Sequence, residues 1–173
     1  MPVKKSSKTD PQILQIPPQK MAVVKGKGSP DKVFAELMPA LYGSVFTLKF
    51  DLKKRGLPVF KVSGLRARYP FILKETKDKW TIHVGLPVPD DTVSLPQKVA
   101  GVAVELETWS YGTVGQILHL GTYAEEEANI NRLLEFIRDN GCEISGPHEE
   151  EYLTRPDAKV PKTIIRYEIR KKK

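Results

Sequence analysis

Between Val114 and Pro156 the chain reads as strand, helix and strand in immediate succession, and no other stretch restricts the fold so tightly. Val114-Gly-Gln-Ile-Leu-His-Leu-Gly121 is apolar and partly β-branched, with Gly121 closing it, so it is expected to be a mostly buried strand ending in a turn. Thr122 and Glu125 have the spacing of a capping box. Glu125, Glu126 and Glu127 place negative charge on the positive end of the helix dipole, and Gly141 supplies the stop. Ile130, Leu133, Leu134 and Ile137 recur at i, i+3, i+4 and i+7, a single apolar stripe suited to packing on a sheet. After Ser145-Gly-Pro147 comes His148-Glu-Glu-Glu-Tyr-Leu-Thr154, too short and too near proline to be helical, hence a strand. Alternation then sets Glu150 and Tyr152 on one face and Glu149, Glu151 and Leu153 on the other, so one face carries a carboxylate beside an aromatic ring.

The 173 residues suffice for one domain with a sizeable core. A formal charge of +7 suggests nucleic acid until it is located. Residues 1–10 carry a net +2 and residues 170–173 a net +4, which leaves +1 for everything between. A body so nearly neutral lacks the basic footprint that phosphate tracking needs, so no nucleic acid is expected at the core domain, and the ends read as solubilising tails. Cys142 is the one cysteine, which excludes an internal disulfide and a multi-thiolate metal site; after Gly141 and before Ile144 it reads as a small half-buried hydrophobe. The N-terminus has no signal-peptide core, and no apolar run approaches the roughly 20 residues that span a bilayer. A cytoplasmic protein with no membrane partner is the expectation. Oligomeric state is not legible.

Residues 1–19 are rich in Lys, Ser, Gln and Pro and read as a flexible basic arm, with Ile13, Leu14 and Ile16 pinned at its end; residues 171–173 read as a basic tail. Met21–Val24 is expected as the first strand, followed by a Gly26/Gly28 turn, Ser29 as N-cap and Pro30 as first helical residue. Phe34, Leu37, Met38 and Leu41 form the stripe of that helix, and Pro39 should kink or restart it. Gly-Lys-Gly-Ser lacks the dinucleotide and P-loop patterns, so the turn is read as a turn only. Residues 58–65 and 80–86 read as hairpin strands around a Lys-rich turn at 74–79, residues 88–96 as a connector, and residues 163–170 as a closing strand. The order strand, Gly turn, helix and two strands thus occurs at about 21–88 and again at about 113–170. A tandem βαββ repeat follows: an α+β fold with an antiparallel sheet, two main helices, a pseudo-two-fold and a central cleft.

Leu118-His-Leu-Gly-Thr-Tyr123, the helix ending at Asn140-Gly141, and Glu150-Glu-Tyr-Leu153 before Pro156 resemble the GyrI-like small-molecule-binding domain. The resemblance extends over nearly the whole chain, with Lys25-Gly-Lys-Gly28 before a helix, Leu41 to Phe50, and Gly64-Leu65 before the strand that holds Trp80. It implies a single ligand-binding domain over 20–170 of the stand-alone, SOUL/GyrI-type effector-binding fold. Glu150 would be the ligand-facing acid that meets cationic aromatic compounds, and Tyr42, Phe46, Tyr69, Trp80, Tyr123 and Tyr152 the candidates to line the pocket. The chemistry agrees, because a buried carboxylate needs a partner and a cation over a ring gains about 0.5 to 2 kcal/mol.

Three functions follow from the resemblance. The first is a binding module for amphipathic, cationic or planar aromatic small molecules, of the kind used in multidrug recognition. The second is a hydrolase of cyclopropane-bearing alkylating compounds, in which Glu150 would be the catalytic acid or base. The third is an inhibitor of a macromolecular partner such as gyrase. Arg66-Ala67 stands where the family pattern has Trp, which lowers the weight of the hydrolase and would turn ligand preference toward anions if Arg66 enters the cleft. His83, His119 and His148 form no ligand cluster in sequence. His119, inside an apolar strand, reads as a hydrogen-bonded structural histidine, and no metal, haem or other cofactor is expected.

Overall fold

The computed structural model describes residues 8–155 and 157–173. In chain order the elements are strand β1 (Gln12–Ile16), strand β2 (Gln19–Gly28), helix α1 (Pro30–Lys54), strands β3 (Arg66–Tyr69), β4 (Trp80–Pro87), β5 (Glu105–Trp109) and β6 (Gly112–Leu120), helix α2 (Glu126–Asp139), and strands β7 (Cys142–Tyr152) and β8 (Lys162–Lys171). They form two compact units, one of residues 17–110 and one of residues up to 16 together with 111–173.

In the unit of residues 17–110 the strand order is β3-β4-β2-β5, all antiparallel. In the other it is β7-β8-β6-β1, again antiparallel. Relative to its helix, each unit therefore arranges strand, helix and two strands identically: the strand after the helix at one edge, then the next, then the strand before the helix. A fourth strand closes the far edge. This is the tandem βαββ α+β fold with two helices that the sequence pattern predicts. The fourth strand comes from after the repeat in one case (β5) and from before it in the other (β1).

That use of β1 corrects the reading of residues 1–19 as an arm. Residues 1–7 lie outside the described residues, but Gln12–Ile16 pairs with β6 from Gln12↔Gln116 to Ile16↔Gly112, because Ile13, Leu14 and Ile16 gain a partner edge there. Gln19 already belongs to β2. At the other end Lys171 is still within β8 and Lys172 N–H donates to Gly141 O at 2.9 Å, so the tail is shorter than expected. Likewise the strand expected over 58–65 is irregular, and pairing starts only at Arg66↔Gly85.

Helix α1 starts as expected, with Ser29 as N-cap and Pro30 at the first turn, but runs unbroken through Pro39. Its buried face is Val33, Leu37, Ala40, Leu41, Ser44 and Val45; Phe34 and Met38 are half-buried at its margin. The stripe is rotated because Gly26 leaves room for Val33 and Leu37, whose carbons would lie 3.0 and 2.8 Å from a Cβ there. Helix α2 is entered through a short 3-10 turn, Tyr123–Glu125, with the reciprocal Thr122/Glu125 capping box formed. Leu133 and Ile137 are fully buried against Ile117, Ile165, Tyr167 and Ile169, with Ile130 and Leu134 packed at the edge. Gly141 has a positive φ of 72°, the left-handed stop that glycine takes without strain.

Candidate functional site

Strand β7 determines which side chains face α2. Between Ile144 and His148 its register with β8 shifts, after which His148↔Tyr167, Glu150↔Ile165 and Tyr152↔Thr163 face each other. Ile165 and Tyr167 belong to the core under α2, so His148, Glu150 and Tyr152 lie on that helix's side of the sheet. Glu149 and Glu151, paired with Arg166 and Ile164, point the other way.

The two neighbouring acids are both buried, and each is satisfied differently. Glu149, 2% exposed, receives Arg166 Nη1 at 2.7 Å and the Tyr111 hydroxyl at 2.9 Å. Arg166 in turn donates through Nε to Gln116 Oε1 at 3.0 Å, and its Nη2 is 3.8 Å from Glu151. This is a closed structural ion pair. Glu150, 7% exposed, receives the Tyr152 hydroxyl at 2.7 Å, lies 3.1 Å from His148 Nε2, and is hydrogen-bonded to the side chain of Glu126 in the first turn of α2. His148 Nδ1 is 2.7 Å from the Tyr167 hydroxyl. In the neutral tautomer that fits both contacts, Tyr167 O–H donates to Nδ1 and Nε2–H donates to Glu150.

The electrostatics follow from that ring of donors. Burial pushes the Glu150 carboxyl up, but hydrogen bonding and charge from His148, then hydrogen bonds from Glu126 and Tyr152, outweigh it and hold the group below the ordinary carboxylate range. Burial, reinforced by the negative charge of Glu150 and, at the high pH where a tyrosine titrates, of Glu126, pushes the Tyr167 and Tyr123 hydroxyls above the usual tyrosine value. Among the described residues, the partners of Glu150 include neither Lys nor Arg.

Of the residues singled out in the sequence, Glu150, Tyr152 and Tyr123 come together: the Tyr123 and Tyr152 rings meet edge to face at 5.8 Å, and Tyr123 is half exposed. The rest lie in the unit of residues 17–110. Tyr69 and Trp80 are also edge to face, at 5.6 Å, and Trp80 Nε1 donates to Glu75 O. Tyr42 stacks on Phe46 at 6.2 Å along α1. Arg66 pairs with Gly85, and alternation along β3 places it on the opposite sheet face from Tyr69, so these two cannot line one surface.

Sequence reasoning missed His148, Glu126 and Tyr167. Two carried a signal: His148 is two residues from Glu150 on one strand, and Glu126 lies four before Ile130, which extends the apolar stripe of α2 to an acid. Tyr167 depends on the β7/β8 register. His119 proves to be the structural histidine expected, with Nε2 2.7 Å from Thr122 O and Nδ1 2.8 Å from Asn129 Nδ2. Among the described residues no helix is long and apolar enough to cross a membrane.

The tandem βαββ architecture is that of the GyrI-like small molecule binding domain. The chain belongs to the GyrI-like family, whose small molecule binding domain model matches residues 9–170. Similar solved structures include an uncharacterized conserved protein from Listeria innocua, 22% identical over 94% of this chain and 93% of that one with a TM-score of 0.81, and a hydrolase from the same organism, 22% identical over 96% and 94% with a TM-score of 0.78. The EcmrR C-terminal domain is 15% identical over 94% and 98%, with a TM-score of 0.65. At such identities the likeness is one of fold. No curated protein matches the chain.

Proposed function

We propose that this domain binds amphipathic cationic or planar aromatic small molecules, with Glu150 as the carboxylate that meets the charge and Tyr152 and Tyr123 as the rings beside it. One observation carries the reading: Glu150 is buried, and the partners that face it are His148, Glu126 and Tyr152 rather than a lysine or arginine. A carboxylate removed from water recovers energy when a cation arrives, and a cation over a ring gains about 0.5 to 2 kcal/mol more. The half-exposed Tyr123 ring gives such a ligand a face to approach. A hydrolytic role for Glu150 is the weaker reading. General-base catalysis is most efficient with a pKa near the working pH, and the hydrogen bonds here hold Glu150 below even the ordinary carboxylate range.

The test is a fluorescence titration with ethidium, a permanent planar cation, set against uncharged phenanthridine. Glu150→Gln keeps the size of the side chain and one acceptor oxygen while removing the charge, so ethidium affinity should fall at least about tenfold, in line with about 2 to 5 kcal/mol for a close buried charge partner. Glu151→Gln, on the opposite sheet face, should change neither ligand. Equal losses in the two variants, or none in Glu150→Gln, would reduce Glu150 to a structural acid.

A further inference from the structure

Two carboxyl groups cannot hydrogen-bond to each other without a proton between them. Glu126 and Glu150 are so bonded, both buried at 7% exposure, with Glu126 brought in by the first turn of α2 and Glu150 by β7. Like charges at that separation disfavour joint ionisation, so the pair holds one proton and one negative charge. Because Glu150 already accepts from Tyr152 and faces His148 Nε2, the proton resides on Glu126, which is then a third donor to Glu150.

We propose that Glu126 is the specificity partner of Glu150: the pair shares one proton in the free protein, and a bound cation replaces that proton, leaving two carboxylates around one positive charge. The inference rests on the reading of Glu150 as the ligand-facing acid. Its chemistry is a simple exchange. The O–H bond of Glu126 breaks, the proton passes to solvent, and the ligand's charge takes its place; no other bond changes. A neutral ligand has nothing to exchange and leaves the proton where it is. The site thereby discriminates by charge through its own acid pair.

Other titratable groups face Glu150 and must be separated from Glu126. They are His148 and Tyr152 on β7, Tyr167 on β8 and Tyr123 in the turn before α2. His119 on β6 is engaged by Thr122 O and Asn129, and Glu125 by the Thr122 N–H. The two tyrosines whose hydroxyls are pushed up, Tyr167 and Tyr123, keep their protons at neutral pH. The competing source is His148.

Calorimetric titration of ethidium into the full chain, in two buffers of different ionisation enthalpy, counts protons released. Wild type should release about one per dye near neutral pH, with affinity rising by up to about tenfold per pH unit. Glu126→Gln keeps an N–H donor toward Glu150 but has no proton to give, so release should vanish and affinity become flat with pH. Release that persists in Glu126→Gln assigns the proton to His148 and overturns the proposal, as does dye binding to wild type with no release. A separate readout needs no ligand: at neutral pH the infrared spectrum of free wild type should contain the carbonyl stretch of a protonated acid that Glu126→Gln lacks. Absence of that band refutes the shared proton. A chain that shows the band but binds no ethidium sinks the cation-binding reading and the exchange with it, while leaving the acid pair established.

Discussion

Gly115→Ala tests the packing that holds α2 over the candidate site. Gly115 is in β6, opposite Tyr167 of β8, and a Cβ there would lie 2.9 Å from both Cδ1 and Cγ1 of Ile137 and 3.7 Å from Leu133 Cδ1. Cδ1 is the free end of a side chain and can swing; Cγ1 can move only if the whole Ile137 side chain does. Ile137 is 1% exposed and hemmed in by Leu133, Cys142, Ile165 and Tyr167, so the helix must shift instead. Overpacking of this kind costs about 1 to 3 kcal/mol. For a chain of this length each kcal/mol lowers Tm by about 2 to 4 °C, so the drop should be about 2 to 12 °C. Thermal melts of Gly115→Ala, Ile137→Val and the double variant make a cycle. Ile137→Val alone should cost about 0.5 to 1.5 kcal/mol for the lost methyl, and much less in the Gly115→Ala background, where that methyl is part of the clash. Strict additivity, or a Gly115→Ala melt within a degree of wild type, would refute the close approach of α2 to β6.

Leu133→Ala, at a fully buried position, should cost about 2 to 5 kcal/mol in chemical denaturation, whereas half-buried Leu134→Ala should cost clearly less; equal costs would mean α2 is rotated from the face described. His83 is pushed below the usual histidine value, first by burial and then by Lys25. The unfolded chain therefore takes up a proton near pH 6.5 that the folded chain resists, and stability should fall as pH drops below about 6.5. His83→Gln should flatten that part of a plot of Tm against pH, and an unchanged slope would exclude His83 as its source.

What the sequence reveals, and what it hides, divides along the reach of the interactions. The capping box at Thr122 and Glu125, the Ser29-Pro30 start and the stripe Ile130–Ile137 are local, and each is where the spacing puts it. The alternation that separates Glu150 from Glu149 is local as well, and it holds. By contrast, β1 pairs with a strand about a hundred residues away, and nothing in Gln-Ile-Leu-Gln-Ile specifies that edge over any other. The rotated stripe of α1 depends on a gap above Gly26, and Tyr167 reaches His148 only through a register that includes an irregularity after Ile144. Arg66 was legible as a departure from the family pattern. Its sheet face was not, because β3 begins eight residues later than the apolar run suggests.

The contrast between Glu149 and Glu150 bears on the role proposed for Glu150. Glu149 is neutralised by Arg166, an ion pair already at 2.7 Å and further tied to Gln116 and Tyr111; adding a cation there would have to displace a guanidinium. The partners of Glu150 are a tyrosine hydroxyl, an imidazole and the side chain of Glu126, which carries the shared proton in the pair proposed above. None of these is a lysine or arginine fixed in its charge. Glu149 therefore has its charge matched by a guanidinium and Glu150 does not, although the two are consecutive in one strand and both buried. A buried acid under the first turn of α2 with no Lys or Arg among its partners, and an edge-to-face tyrosine pair beside it, has the features that the proposed cation site requires.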